Sequence, residues 1–338
     1  MSEGDKLLYK LPKQIDTIHA SNKDDKIVYQ ASVSQYELDK DVILSVITKN
    51  QLEESLAKIK YHKVIYEQWG FGAVDKLGRS SILNFYGAPG TGKTLTAEAF
   101  AGRLEMPIIK LGIAEIESKM MGETSKNIQR AFKDAHSQQA ILFFDEADTL
   151  LGKRLSSVTQ GVDNEVNAMR STMLIELEKF DGIVIFATNF AKNYDEAFRS
   201  RISYHIEFTL PDLEARIKLW HKMLVSGIPL LGDRQELIDQ CADLSAGFSG
   251  REIRNAMRLA LPKPILATDC IEDARLNSEH LTAAINEVKK GQEQIGVNTS
   301  AAKRKAEAKM ATKLLGLTTK EETEQTILPK GYDNDNIN

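Results

Sequence analysis

Short apolar runs alternate with segments of helical period through the middle of the chain. The five runs are "SILNFY" at 81–86, "PIIKL" at 107–111, "AILFF" at 140–144, "GIVIFAT" at 182–188 and "SYHIEF" at 203–208. Continuous apolar runs are typical of strands buried on both faces, and their alternation with helices is typical of a parallel sheet between two helical layers. The pattern therefore predicts an α/β fold.

Helical periods flank this region on both sides. Before it, Leu52, Leu56 and Ile59 share one helix face. After the "LPD" at 210–212 the strand-like runs stop, and helical periods continue to about Lys290. We expect an N-terminal extension at 1–50, a large α/β domain at 51–210, a small α-helical domain at 211–292 and a tail at 293–338. The tail composition predicts one weak helix near 301–315 and disorder beyond it.

Composition narrows the class of protein. The chain has 338 residues, of which 42% are hydrophobic and 27% charged, as in folded chains of about two domains. No apolar run approaches the roughly 18 residues of a membrane span, and the first ten residues lack the apolar block of a signal peptide, so we expect a cytoplasmic protein without membrane contact. A net charge of −4 gives no global attraction to nucleic acid. Cys241, Cys270 and the scattered histidines suggest no structural metal.

The motif "GAPGTGKT" at 87–94 follows the first apolar run and precedes a helical segment. This pattern and context predict a phosphate-binding loop, in which glycines let backbone N–H groups surround phosphates at a helix N-terminus. Lys93 would reach the β- and γ-phosphates, and the Thr94 hydroxyl would be a ligand of Mg²⁺. The predicted ATP-binding residues are Gly87, Pro89, Gly90, Thr91, Gly92, Lys93, Thr94 and Leu95.

Two carboxylates, Asp145 and Glu146, follow the buried run "AILFF". With a phosphate loop in the same chain, Asp145 is predicted to bind ATP by holding Mg²⁺, and Glu146 to act as general base on the attacking water. A purely structural acidic turn is the alternative. The pair predicts hydrolysis at the γ-phosphate.

Over about 41–290 the chain resembles the AAA+ ATPases, and within them the AAA subfamily of single-ring protein remodellers. The resemblance implies a P-loop NTPase fold of the ASCE type, a three-layer sandwich with a helical lid. Asn189 in "FATN" matches the first sensor, and Arg199 and Arg201 in "FRSR" match the arginine-finger segment, although its spacing is compressed and leaves the finger open between them. Arg251 in "GFSGREI" lies at the second sensor, where many AAA members have a small residue, so its contact with nucleotide stays open.

The stretch "SKMMGETSKN" at 118–127 falls where the family has its pore loop. Family members have Lys, an aromatic residue, an apolar residue and Gly there, and this chain has Lys119, Met120, Met121 and Gly122. Methionine adapts to varied surfaces, so Met120 is predicted to replace the aromatic residue; a core position is the alternative. The polar stretch 155–164 could be a second pore loop or a plain connection.

The resemblance implies an Mg²⁺-dependent ATPase that assembles with itself, as a hexamer, and remodels or unfolds a protein client through its central pore. The sequence does not identify the client or an adaptor; HORMA-type signalling proteins are among the clients of bacterial ATPases of this single-ring size. The alternative is a nucleic-acid-linked switch, such as an initiator or a helicase loader. The acidic charge balance and the pore-loop register favour a protein client.

Overall fold

A computed structural model describes residues 28–75, 80–116, 123–152, 161–189 and 194–294. Within these ranges the chain divides into two compact units. The first draws on residues 28–42, 47–87 and 93–207, and the second on 43–46, 88–92 and 208–294. The four domain boundaries expected from the sequence stay predictions.

All five predicted strands are present in one sheet of the first unit. They are β1 (Ser81–Gly87), β2 (Ile108–Gly112), β3 (Ile141–Asp145), β4 (Ile183–Thr188) and β5 (Tyr204–Phe208). Their order is β2-β3-β4-β1-β5, and the pairs β2–β3, β3–β4 and β4–β1 are parallel. Every residue of β4 is buried, as its apolar sequence predicts. The predicted α/β fold is confirmed.

Eight helices precede or connect these strands in the described residues up to 207. They are α1 (Leu38–Asp41), α2 (Val46–Lys60), α3 (Lys93–Arg103), α4 (Ile113–Ile116), α5 (Glu123–Ser137), α6 (Asp148–Leu151), α7 (Gly161–Lys179) and α8 (Glu196–Arg199). A π-helical turn at Val64–Gln68 and a 3-10 turn at Phe71–Ala73 follow α2. The predicted helix over Leu52–Ile59 is part of α2, and Leu52 and Leu56 are buried.

Three predicted segments lie wholly or partly outside the described residues. These are the pore-loop residues 119–122, the tail helix at 301–315 and residues 155–160 of the second candidate loop. The remaining residues of that loop, 161–164, belong to α7 and are helical, so a loop extending to Asn164 was wrong.

The strand order places helices on both faces of the sheet. From β1 the chain crosses to β2 at the far edge and then returns through β3 and β4, so right-handed crossovers put α3 on one face and α5 and α7 on the other. An aromatic pair lies on each face of the sheet. The ring centroids of Phe85 in β1 and Phe100 in α3 are 6.4 Å apart, and those of Phe144 in β3 and Phe132 in α5 are 6.1 Å apart. The first unit is therefore a three-layer sandwich.

The second unit is helical after residue 208. It contains α9 (Leu213–Met223), α10 (Arg234–Leu244), α11 (Gly250–Ala260), α12 (Pro262–Leu266) and α13 (residues 278–294). Trp220 lies at the centre of its core, and the indole N–H donates to Ser245 Oγ at 2.9 Å. Side chains of Asp212, Asp233 and Ser249 cap three of these helices. None of the helices in the described ranges is long and apolar enough to cross a membrane.

The chain has two tryptophans, one in each unit, and they differ sharply in environment. Trp69 is 76% exposed, whereas Trp220 is fully buried at 0%. We predict that Trp220→Phe lowers the free energy of unfolding by about 1–3 kcal/mol, because it removes a buried hydrogen bond and packed surface. The matched Trp69→Phe change should stay within about 0.5 kcal/mol of wild type. Urea unfolding followed by circular dichroism measures both.

Fluorescence provides the cross-check. The Trp69→Phe protein should emit in the blue from Trp220 and resist quenching by iodide, whereas the Trp220→Phe protein should emit in the red and be quenched. Equal quenching of the two variants would contradict the burial described for Trp220.

Candidate active site

The predicted phosphate loop joins β1 to α3 with a left-handed backbone at its glycines. Gly90 has φ 79° and Gly92 has φ 99°, values that favour glycine. The Thr91 hydroxyl donates to Ala88 O at 2.8 Å, which closes the turn. Lys93 begins α3, so the loop lies at the N-terminal end of an 11-residue helix, where unpaired amides attract anions. Pro89 is exposed in the loop, and Leu95 lies in the first turn of α3.

The Lys93 side chain joins the loop to the end of β4. Its ammonium donates to Gly87 O at 2.8 Å and to Asn189 Oδ1 at 2.9 Å. Lys93 is largely buried, so its long side chain is held in place by packing as well as by these bonds. The structure thus brings together Lys93 and Asn189, which are 96 positions apart in the sequence.

The next residue of α3 reaches the end of β3. The Thr94 hydroxyl donates to Asp145 Oδ2 at 2.8 Å, and the other oxygen, Asp145 Oδ1, accepts the Glu146 amide at 2.9 Å. A hydroxyl and a carboxylate are the hard oxygen ligands that Mg²⁺ takes in phosphate sites, where it shares its shell with phosphate oxygens and water. These two side chains therefore fit the predicted metal.

Glu146 follows β3 in a strained turn. Its φ of 54° is left-handed, a conformation that costs a non-glycine residue roughly 1–2 kcal/mol, and the residue is exposed. Two hydrogen bonds hold the turn against the end of β4. The Ala147 amide donates to Ala187 O at 2.9 Å, and the Asn189 amide donates to Asp148 Oδ1 at 3.0 Å.

The two candidate arginines have different surroundings. Arg201 is 30% exposed at its side chain, pairs with the Glu178 carboxylate and donates to Ala197 O at 2.7 Å. Arg199 ends α8 and is exposed. The structure therefore anchors Arg201 within its own chain and leaves Arg199 at the surface.

Arg251 contacts the phosphate loop through its backbone. In the second unit, its amide donates to Gly90 O at 3.2 Å, while the residue itself is exposed. A Cβ placed on Gly90 would lie 2.7 Å from Ser249 Oγ and 2.8 Å from Arg251 Cβ. Ser249 caps α11 in a capping box with Glu252. Gly90 is thus required both by its φ and by this close approach.

A polar network beside the site was not predicted. The Tyr194 hydroxyl lies 2.8 Å from Thr188 Oγ1 and accepts from Asn84 Nδ2 at 3.0 Å, while its ring stacks on His205. Burial lowers the pKa of His205, and the nearby Arg199 charge lowers that pKa further, so the imidazole is neutral near pH 7.

One signal for this network was present in the sequence. Asn84 stands in the middle of an otherwise apolar run, and a buried amide needs a partner. Asp148 and Glu178 carried no comparable signal, since acidic residues are common at turns and on helices.

Comparisons with known proteins identify the kind of domain that contains these residues. Residues 83–210 match the family model described as "ATPase family associated with various cellular activities (AAA)". The 26S proteasome regulatory subunit 7 homolog of Saccharomyces cerevisiae is 36% identical over 175 residues, which are 50% of this chain and 37% of that protein. The ATPase family AAA domain-containing protein FIGL1 of Arabidopsis thaliana is 32% identical over 190 residues, 54% of this chain and 27% of that protein.

A solved structure has the same fold. The crystal structure of the FIGL-1 AAA domain in complex with ADP superposes with a TM-score of 0.61 at 20% identity, covering 80% of this chain and 92% of that chain. Residues 83–210 therefore form an AAA domain. The chain spans less than half the length of the two relatives named above.

The crowding at Gly90 generates a prediction with an internal control. Gly90 and Gly92 both have left-handed φ, but a Cβ on Gly92 would meet nothing within 4 Å. Gly92→Ala should therefore cost only the backbone strain of about 1–2 kcal/mol. Gly90→Ala should cost more than that, because the added methyl also collides with Ser249 and Arg251. Thermal melting of the purified variants measures the difference. Ser249→Ala itself removes the cap of α11, so Gly90→Ala should cost less when it is added to Ser249→Ala than when it is added to wild type. Equal melting temperatures for the two glycine variants would show that the close approach is unimportant.

Proposed function

We propose that the protein is a Mg²⁺-dependent ATP hydrolase. One observation supports the proposal: at the start of α3, Lys93 bonds Asn189, the predicted sensor after β4, and Thr94 bonds Asp145, the predicted Mg²⁺ ligand at the end of β3. A loop that bound phosphate only for structure would need neither the Asp145 carboxylate nor the Asn189 side-chain amide at these contacts. The AAA domain at 83–210 supports the same conclusion.

ATP binding is assigned to the loop and the start of α3. Backbone amides of Gly90 to Thr94 would surround the phosphates, and the Lys93 ammonium would exchange the Asn189 oxygen for phosphate oxygens, which are stronger acceptors. Thr94 and Asp145 would hold Mg²⁺, whose chemistry here is to neutralise charge on the phosphate oxygens. The ADP bound in the solved FIGL-1 AAA domain supports a nucleotide in this fold.

Hydrolysis is assigned to the ends of β3 and β4. Glu146, exposed in the turn after β3, would accept the proton of the attacking water, and Asn189 after β4 would orient that water. Because Lys93 already bonds Asn189, the residue that orients the water lies beside the residue that stabilises charge on the γ-phosphate. The attacking water would therefore be positioned beside the group that stabilises the negative charge on the γ-phosphate.

We further propose that copies of the chain assemble as a ring, a hexamer, and act on a protein client. The exposed Arg199 is the finger that reaches the ATP of a neighbouring copy, and Arg201 anchors the segment through Glu178. The relatives include a proteasome regulatory subunit homolog, which supports a protein client over nucleic acid. Lys119 to Gly122 as a pore loop, and a HORMA-type protein as the client, stay predictions.

The general-base assignment is tested with a matched pair of glutamates. Glu146→Gln should bind ATP and lower turnover by about 10² to 10⁴, because the amide keeps the shape and loses the base. Glu105 also has a left-handed backbone, with φ 55°, but lies outside the site. Glu105→Gln should therefore hydrolyse ATP at the wild-type rate. Steady-state phosphate release and ATP affinity by calorimetry are the measurements. Near-normal turnover by Glu146→Gln would remove Glu146 from the mechanism.

The roles of Arg199 and Arg201 are distinguished by the stability of single variants and by mixing variant subunits. Arg199→Ala should fold normally and lower turnover by roughly 10³ to 10⁵, the range of arginine fingers. Arg201→Ala should lower the melting temperature, because it breaks the Glu178 pair and the bond to Ala197 O. Mixing Arg199→Ala with Glu146→Gln subunits should restore activity where an intact Glu146 meets an intact Arg199.

The reverse pattern would reassign the finger. If Arg201→Ala keeps the wild-type melting temperature and is the variant rescued by mixing, Arg201 is the finger and Arg199 is not.

A further inference from the structure

The turn after β3 is tied to the end of β4 by a side chain that the proposed function does not use. β3 and β4 pair in parallel as far as Phe144 and Phe186. Beyond that pair the Ala147 amide donates to Ala187 O at 2.9 Å, and the Asn189 amide donates to Asp148 Oδ1 at 3.0 Å. The Asp148 carboxylate thus takes the place of a backbone carbonyl and continues the pairing past the last residue of β4.

We infer that Asp148 is a positioning residue that holds the Asn189 backbone so that the Asn189 side chain faces Lys93. This inference rests on the proposed function, in which Asn189 orients the attacking water. Two anchors restrict the chain at this point: Ala187 is fixed through its carbonyl and Asn189 through its amide. With the backbone held, the side-chain amide oxygen reaches Lys93 Nζ at 2.9 Å.

The chemistry of Asp148 suits this task. An N–H bond to a carboxylate is roughly twice as strong as a bond to a neutral acceptor. Asn189 is exposed and follows a strand end, so it needs such a bond to hold one position in water. An asparagine at 148 would keep an acceptor oxygen in the same place, although a weaker one, whereas an alanine would remove it.

The contact also links the two proposed catalytic groups. Asp148 lies two residues after Glu146 in the same turn, so its bond to Asn189 fixes the residue that orients the water relative to the residue that takes its proton. A misplacement of about 1 Å between such groups can lower a rate by about 10². Asp148 therefore acts on turnover through Asn189 and should have little effect on nucleotide affinity.

Turnover and affinity are measured on two variants of Asp148 and on one control. Asp148→Ala should lower kcat by about tenfold to a hundredfold, with the affinity for a non-hydrolysable ATP analogue unchanged. Asp148→Asn should recover most of that loss. Asp233 is the matched control, because its carboxylate also accepts backbone amides, at the start of α10. Asp233→Ala should leave kcat at the wild-type value.

A double-mutant cycle tests whether Asp148 works through Asn189. Asn189→Ala alone should lower kcat, and adding Asp148→Ala to it should cost little more. A full additional loss in the double variant would overturn the inference while leaving the proposed function intact. An Asn189→Ala protein with wild-type turnover would instead remove Asn189 from the proposed mechanism.

Amide hydrogen exchange tests the contact between Asp148 and Asn189 without measuring turnover. In the nucleotide-free protein, the Asn189 amide should exchange with solvent about ten to a hundred times faster in Asp148→Ala than in wild type, with Asp148→Asn between them. If the wild-type chain hydrolyses no ATP, the proposed function fails and the amide exchange alone decides whether Asp148 holds Asn189. Unchanged exchange in Asp148→Ala, or a lower melting temperature with unchanged kcat, would show that Asp148 is merely structural.

Discussion

The pairing of β1 with β4 is the interaction on which the site depends. Its register puts Tyr86 opposite Thr188, so the next residues, Gly87 at the end of β1 and Asn189 after β4, lie side by side. Lys93 then bonds both of them, so one side chain links the end of β1 to the residue after β4. A slip of one residue would turn the side chains of β1 to the opposite face of the sheet. The buried hydrophobic residues of these two strands therefore determine where Lys93 and Asn189 meet, although their apolar side chains have no group that could hydrogen-bond to either one.

Local patterns were sufficient to predict the strands, whereas the contacts around the predicted phosphate loop depend on the assembled sheet. Apolar runs and a glycine-rich loop with a lysine are signals within a few adjacent residues. The bond between Asp148 and Asn189, and the pair between Glu178 and Arg201, join residues 41 and 23 positions apart. They depend on strand order and helix placement, which no short window contains. The start of α2 at Val46 was also missed, because the sequence before Leu52 lacks a clear apolar period.

The network around Tyr194 shows how a buried sheet accommodates polar groups near a site. One phenol group joins β1 through Asn84, the end of β4 through Thr188 and the segment that leads into α8. Asn84 is fully buried, so without the Tyr194 hydroxyl its amide would lose a hydrogen bond at a cost of about 1–3 kcal/mol. The same hydroxyl ties the segment before α8, which ends at Arg199, to β1 and to the end of β4.

The left-handed backbone of Glu146 has a consequence for how this chain can change over generations. Glycine adopts that backbone freely, so replacing Glu146 by glycine would relieve strain and stabilise the fold by up to about 1 kcal/mol, after the greater chain entropy of glycine is subtracted. Glycine is also one nucleotide away from either glutamate codon. Stability alone would therefore drive the chain towards glycine at this position, and, with Glu146 as the proposed general base, only selection for turnover would oppose it. An inactive descendant of this protein that retains its phosphate loop should carry glycine at 146 more often than a β-branched residue, which the same backbone disfavours most strongly.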